Sequence, residues 1–386
     1  MSVDAQALAR HRRAFPALAQ EGVYADFGAR GPMAREAIAA VGDVLESLQA
    51  VGPASRLGAA LVAREIAALR GALAGLAGVA PERVALVENV SHAIAAAVWG
   101  VAWRPGERLV IGAHEPPGTR LVARQAAARF GIACDEVDPN AEGWPAGLAD
   151  ALRPQTRLVV LSHVDWATGR VLDLPEIARV VRDGPAPEAA LAIDGAQALG
   201  AIPVALGDAD VDLYAGTGQK WLGGPDGVGC LILGPGPARL APSLVGWRAA
   251  AYSEAQEDVV LAADARRFES GTGAVASMAG LRVALRVADG FAPLPARAGR
   301  IARLGARLRA GLAGLGPRIA VLAGGPGGIV SLRAAERAPA DLARALERRG
   351  IVAKAHVHPA CLRLCVHYLT TESEVDALVE GVAASA

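Results

Sequence analysis

Lysine is almost missing from this chain. Of 39 basic residues only Lys220 and Lys354 are lysines, and all the others are arginine. A chain that writes arginine at nearly every cationic position keeps lysine where arginine will not serve. A lysine amine can lose its proton and attack a carbonyl; from a pKa of about 10.4 this costs about 4.6 kcal/mol at pH 7, and an apolar pocket reduces it. The same step on arginine costs about 8 kcal/mol or more. Lysine is therefore the residue of Schiff-base chemistry, which singles out Lys220 within TGQKWLGG (217–224).

Other absences narrow the class. The net charge is +0, so nothing marks the chain as a binder of nucleic acid or of an anionic membrane. Glycine and alanine interrupt every apolar run before it reaches the length and hydrophobicity of a membrane span. The first residues, MSVDAQALARHRRAFPAL, lack the basic start and apolar core of a secretory leader, and the expectation is a cytoplasmic protein. Four cysteines, Cys134, Cys230, Cys361 and Cys365, show no paired metal spacing and read as reduced thiols in or near the core. His356 and His358 alternate on a candidate strand without a third ligand, so no metal site is expected. AGGPGG (323–328) lacks the spacing of a nucleotide-binding loop and reads as a turn.

What is present describes a globular α/β chain. At 386 residues, 53% hydrophobic and 20% charged, it has room for one large and one small domain. Apolar runs alternate with helical stretches, the pattern of a mainly parallel sheet covered on both faces. The runs predict strands at Arg108–Ala113, Ile132–Val137, Arg157–Val164, Ala189–Asp194, Val211–Ala215 and Val228–Leu233, with helices such as Thr119–Phe130 and Pro175–Arg182 between them. GPGPARLAP (234–242) punctuates the chain, and Val275–Leu312 reads as long helical segments broken near Pro293 and Pro295. Short strands at Ile329–Arg333, Ile351–His356 and Leu362–His367, with helices at Ala340–Arg349 and Glu372–Val382, predict a smaller α+β domain. The expected division is an N-terminal segment 1–25 joining the small domain, a large domain 26–284 and a small domain 285–386.

Ligands of such sheets bind at the carboxyl ends of strands. There LAIDGAQALG (191–200) ends a strand in Asp194, either a cap or the salt-bridge partner of a protonated pyridine nitrogen. The next strand runs into Lys220. An acid and a lysine so placed can clamp opposite edges of one flat cofactor.

The pairing of DGAQALG with TGQKWLGGPDGVGCLIL closely resembles the class V aminotransferase family of pyridoxal-phosphate (PLP) enzymes, which includes cysteine desulfurases, isopenicillin N epimerase-like proteins and hercynylcysteine sulfoxide lyases. The match runs from VYADFGARGP (23–32) to CLRLCVHYLTTESEVDALVEGV (361–382), and it implies the PLP-dependent transferase fold type I. By this resemblance Lys220 carries the Schiff base, Asp194 holds the pyridine nitrogen and Gln197 lies near the phenolic oxygen of the ring. ENVSHAI (88–94) precedes a helix, so the amides around Val90, Ser91 and His92 suit an anion. By the same resemblance Thr217 and Gln219, among the cofactor contacts, flank the lysine where the family often places a serine or threonine and a histidine. Thr272, in RRFESGT (266–272), matches a threonine that reaches the phosphate of the other subunit, which implies a homodimer with composite sites. Arg363 in CLRLCV matches the arginine that holds the substrate α-carboxylate, a task suited to a planar bidentate donor. Gly28 and Ala29, in DFGARG, would approach the substrate, and Lys354 falls near another family arginine.

Three departures bear on the reaction. Desulfurases carry a nucleophilic cysteine on a loop before the arginine, whereas here Cys361 stands two residues before Arg363, too close for a mobile persulfide carrier. Pro116 and Pro117 replace the ring-stacking residue, and Trp166 stands where desulfurases have asparagine. The sequence thus implies an enzyme that acts on an amino acid, first as a carbon–sulfur β-elimination lyase. A class V aminotransferase or an amino-acid epimerase comes next, and a desulfurase, a kynureninase-like hydrolase or a non-enzymatic module after them.

Overall fold

Alternation along the strands builds the centre of the molecule. In the computed structural model, which describes residues 4–386 except 208, 237 and 252–259, Leu158 and Val160 face one buried layer while Val159 and Leu161 face the other. Ala190, Leu191, Ala192 and Ile193 divide in the same way. A strand buried on both faces belongs inside a sheet covered by helices on each side. Truncating Leu161 or Ile193 to alanine would cost about 2–5 kcal/mol.

The large sheet has seven strands in the order Val84–Val87, Gly229–Leu233, Leu213–Thr217, Ala190–Asp194, Thr156–Ser162, Arg108–Gly112, Ala133–Val137. From Leu213–Thr217 to Ala133–Val137 every pairing is parallel, and Gly229–Leu233 runs antiparallel to both of its neighbours. The expected α/β architecture is therefore present. The edge strand Val84–Val87 was not anticipated, because four residues give too little pattern to read.

A second sheet of four antiparallel strands, Ile319–Val321, Ile329–Ala334, Cys361–Cys365 and Lys354–His356, packs under the helices Leu294–Ala313, Pro339–Glu347 and Glu372–Ala383. The single strand expected over Ile351–His356 is two. Ile351–Val352 pairs in parallel with Val23–Tyr24, whereas Lys354–His356 pairs with Cys361–Cys365. Arg12 ties the N-terminal helix Ala5–Arg12 to Glu374 through two bonds of 3.0 and 2.7 Å. The long helical stretch breaks at Ala292–Pro293, between Val275–Phe291 and Leu294–Ala313, so residue 285 lies inside a helix. The stretch 234–242 is irregular, and its residue 237 lies outside the described residues.

Candidate active site

The carboxyl ends of the parallel strands converge on one region. Asp194 ends its strand opposite Ser162 of the neighbouring strand, and its Oδ1 accepts from the Ala196 amide at 2.9 Å. Burial raises the Asp194 pKa, while the Lys220 charge and the Ala196 bond oppose the shift. Lys220 follows the strand Leu213–Thr217 in a tight turn whose carbonyls leave room only for glycine at position 31: a Cβ there would lie 2.2 Å from the Lys220 carbonyl. Burial lowers the Lys220 pKa, and Asp194 partly restores it. Each charge thus opposes the shift that burial imposes on the other.

The helix Val90–Trp99 packs against the strands that end in Asp194 and Thr217. The helix Val90–Trp99 begins with Asn89 as its cap, and the Asn89 side chain accepts from the His92 amide at 2.9 Å. The amide anticipated at His92 is therefore already taken, a correction that follows from reading past Asn89 as a cap residue. The amides of Val90 and Ser91 precede the first intrahelical bond, from Ala93 to the Asn89 carbonyl at 3.3 Å, and are the donors this helix end offers. Thr217, buried at the end of its strand, donates its hydroxyl to Gln219. Thr272 is exposed on the loop after Phe268, beside a cavity that Glu88, His92 and Arg248 also line.

The small sheet supplies the opposite wall. Ser331, Arg363 and Lys354 are register partners across three adjacent strands, so their side chains share a face. Arg363, 2% exposed, donates from Nη2 to Asp26 at 2.8 Å and from Nη1 to the Trp166 carbonyl at 2.8 Å, while its Nε has no partner. The N-terminal loop closes over this arginine. A Cβ at Gly28 would lie 2.9 Å from Cys365 Sγ, 3.1 Å from Gln197 Oε1 and 3.2 Å from Arg363 Cζ, so only glycine allows the approach. Gln197 donates to the Gly28 carbonyl at 2.9 Å and accepts from the Trp221 indole at 2.8 Å. Ala29 and Lys354 are exposed.

The structure brings Lys220, Asp194, Gln197, Gly28 and Arg363 together, while Thr272 is exposed beside the cavity that His92 lines. Sequence reasoning missed Asp26, Glu115, Asn89 and Trp221, which complete the surroundings. Asn89 had a legible signal, a cap residue before a helical run. Asp26 and Glu115 had none, because their partners are distant in the chain.

A buried acid, a lysine of lowered pKa, free helix-terminal amides and a buried arginine with an unpartnered nitrogen fit the ring nitrogen, aldehyde and phosphate of PLP together with a substrate carboxylate. Fold and site define the class, a PLP-dependent enzyme of fold type I. The chain belongs to the class V aminotransferase family, whose sequence model matches residues 23–378.

Its relatives include enzymes of carbon–sulfur chemistry. The chain is similar to the solved structure of a C-DES mutant with glycine covalently linked to the PLP cofactor (33% identity, TM-score 0.92, 97% of this chain and 99% of that one). It is also similar to the cystine C-S lyase C-DES in complex with its reaction product cysteine persulfide (33% identity, TM-score 0.90, 96% and 99%). It is 32% identical over 194 residues to isopenicillin N epimerase of Streptomyces clavuligerus, covering 48% of each chain. The chain spans about half the length of the curated relatives it matches. No described helix is long and apolar enough to cross a membrane.

Proposed function

We propose that this protein is a β-elimination lyase that cleaves the carbon–sulfur bond of a cysteine-derived amino acid. The observation that carries the reading is the state of the thiols. Cys361 and Cys365 are both fully buried in one strand, and burial raises the pKa of each, that of Cys365 to about 11. Neither offers an exposed thiolate to accept sulfur, as desulfurase chemistry requires. The likeness to a cystine C-S lyase supports the same choice.

Each residue then has a task. Lys220 would hold the cofactor covalently and, once released by substrate, carry a proton at the substrate α-carbon; its lowered pKa serves both. Asp194 would keep the ring nitrogen protonated, with Gln197 near the phenolic oxygen. The Val90 and Ser91 amides, with Thr217 and Gln219, would receive the phosphate edge. Arg363 would bind the α-carboxylate through the Nε that the protein leaves unpartnered, and Gly28 and Ala29 would border the substrate. When bound, PLP supplies an electron sink at the α-carbon.

Assembly and domain division belong to the same proposal. Thr272 lies exposed, as suits a residue that completes the site of a second copy in a homodimer. The divisions 1–25, 26–284 and 285–386 remain our reading of the chain's units.

The test is a panel of S-alkyl cysteines, cystine and cysteine sulfoxides given to the PLP-loaded protein. Stoichiometric pyruvate and ammonia are expected. Transfer of the amino group to a keto acid would make it an aminotransferase, and α-proton exchange with loss of the stereocentre an epimerase. Persulfide on a protein cysteine would make it a desulfurase.

A further inference from the structure

Among the described residues most buried acids are neutralised by arginine. Asp26 meets Arg363, Glu65 meets Arg282, Asp212 meets Arg182 and Arg239, and Glu269 meets Arg70 and Arg248. Among the described residues Glu115, Asp165 and Asp194 are buried without any cationic ion-pair partner. They gather at the carboxyl ends of neighbouring strands.

Glu115 is held there by design of the backbone. It follows the strand Arg108–Gly112 in a turn closed by its own amide on the Gly112 carbonyl at 3.2 Å, and its carboxyl folds back over Gly112, where a Cβ would lie 2.6 Å from Oε1. Ser162 engages both oxygens, its amide at 2.8 Å from Oε1 and its Oγ at 2.6 Å from Oε2. Ser162 is the register partner of Asp194. Asp165 is served separately, by the amides of Ala167 and Thr168 at 2.8 and 2.7 Å and by Asn140 at 3.1 Å.

We propose that Glu115 is a positioning residue that stays protonated beside Asp194, so that Asp194 alone carries the negative charge behind the cofactor ring. Two carboxyls buried on either side of Ser162 cannot both ionise cheaply. Asp194 has the opposing Lys220 charge and the Ala196 amide, and Glu115 has no cation, so the proton resides on Glu115. Burial and then the Asp194 charge lift the Glu115 pKa to about 8, with Asp165 adding to them and the Ser162 bonds opposing. Above that range a second negative charge appears behind the ring. The inference rests on the assignment of Asp194 to the ring nitrogen, and its two halves are read separately.

The first measurement is infrared titration of the cofactor-free protein. A protonated-carboxyl band is expected at pH 6–7 that fades as pH rises through about 8 and is missing in Glu115→Gln. Ser162→Ala, which removes the hydroxyl bond that favours the ionised form, should move the fading to higher pH. The second measurement is the visible band of the PLP-loaded protein against pH. A step near the same pH is expected in the wild type and absent in Glu115→Gln, which a purely structural role would not alter. Absence of the band from the wild type, or its survival in Glu115→Gln, overturns the proton on Glu115. Superimposable visible profiles for wild type and Glu115→Gln overturn its action on Asp194. An Asp194→Asn variant with an unchanged visible band would instead overturn the Asp194 assignment, while the infrared result stands.

Discussion

Arg363 Nη2 lies 2.8 Å from Asp26 Oδ1, so the arginine that the family gives to substrate already has a carboxylate of its own. A guanidinium this deep needs a resident counter-charge, because an unpaired buried ion is costly. Asp26 supplies it and leaves the buried Nε without a partner.

Removing this arginine therefore has two effects. Arg363→Ala should weaken substrate binding by about 1.5–3 kcal/mol through loss of a charge-assisted carboxylate contact. It should also lower folding stability by about 3–5 kcal/mol, because Asp26 remains buried without a partner. Denaturant titration separates the two: Asp26→Asn in the Arg363→Ala background should recover stability and not substrate binding.

Covalent attachment is tested at Lys220. Borohydride reduction of the PLP-loaded protein should leave a pyridoxyl adduct on Lys220 by mass spectrometry, and Lys220→Ala should carry none. Asp194→Ala should retain the adduct and lose most turnover. Unchanged turnover would remove Asp194 from the ring nitrogen.

Sulfur transfer to the protein is the rival that the cysteine variants address. Cys361→Ser should leave most of the carbon–sulfur cleavage intact, and Cys365→Ala should do so apart from a packing cost of about 1 kcal/mol for the cavity. Loss of all cleavage in Cys361→Ser, with normal folding, would point back to a persulfide route.

Acid should destabilise the cofactor-free fold through buried histidines. Burial lowers the pKa of His163 to about 4 and that of His367 to about 3, both from 6.5. Below 6.5 the unfolded chain takes up protons that the folded chain refuses, so stability falls with pH until the folded values are reached. Each histidine contributes about 1.4 kcal/mol per pH unit across that window. His367→Phe, which keeps a ring to stack on Phe27 at 4.7 Å, should flatten the thermal-midpoint profile below pH 6.5. An unchanged slope would contradict the burial of a neutral ring.

Cofactor retention should depend on assembly. If the proposed homodimer forms, dilution that dissociates it should release PLP, and Thr272→Val should raise the concentration at which this begins. Sedimentation with absorbance detection follows both species, and a monomer that keeps its cofactor would refute the composite site.

Much of the candidate site's placement at strand ends was legible because its elements are local. Ala190–Asp194 and Leu213–Thr217 are continuous apolar runs that announce buried strands, and the residues closing them are the acid and the approach to the lysine. The scarcity of lysine marks Lys220 independently of any fold. The helix Glu372–Ala383 was equally readable, since Thr371 and Glu374 form a capping box. Ile351–His356 misled for a physical reason: an extended run does not say which sheet each of its residues joins, and Val352 and Lys354 part company at Ala353.

The sequence by itself determined the buried strands at the centre of the large sheet, that an acid and a lysine close neighbouring strands, and that no thiol stands on a free loop before Arg363. Those properties are written in residues close together along the chain, where periodicity, capping and side-chain chemistry act. Only the tertiary structure decided that Arg363 meets Asp26, that Glu115 meets Ser162 beside Asp194, and that Gly28 closes over Cys365 and Gln197. Each of these contacts joins segments that become neighbours only once the sheets have packed, and the energy that selects them is the burial and neutralisation of charge, which no short window of sequence contains.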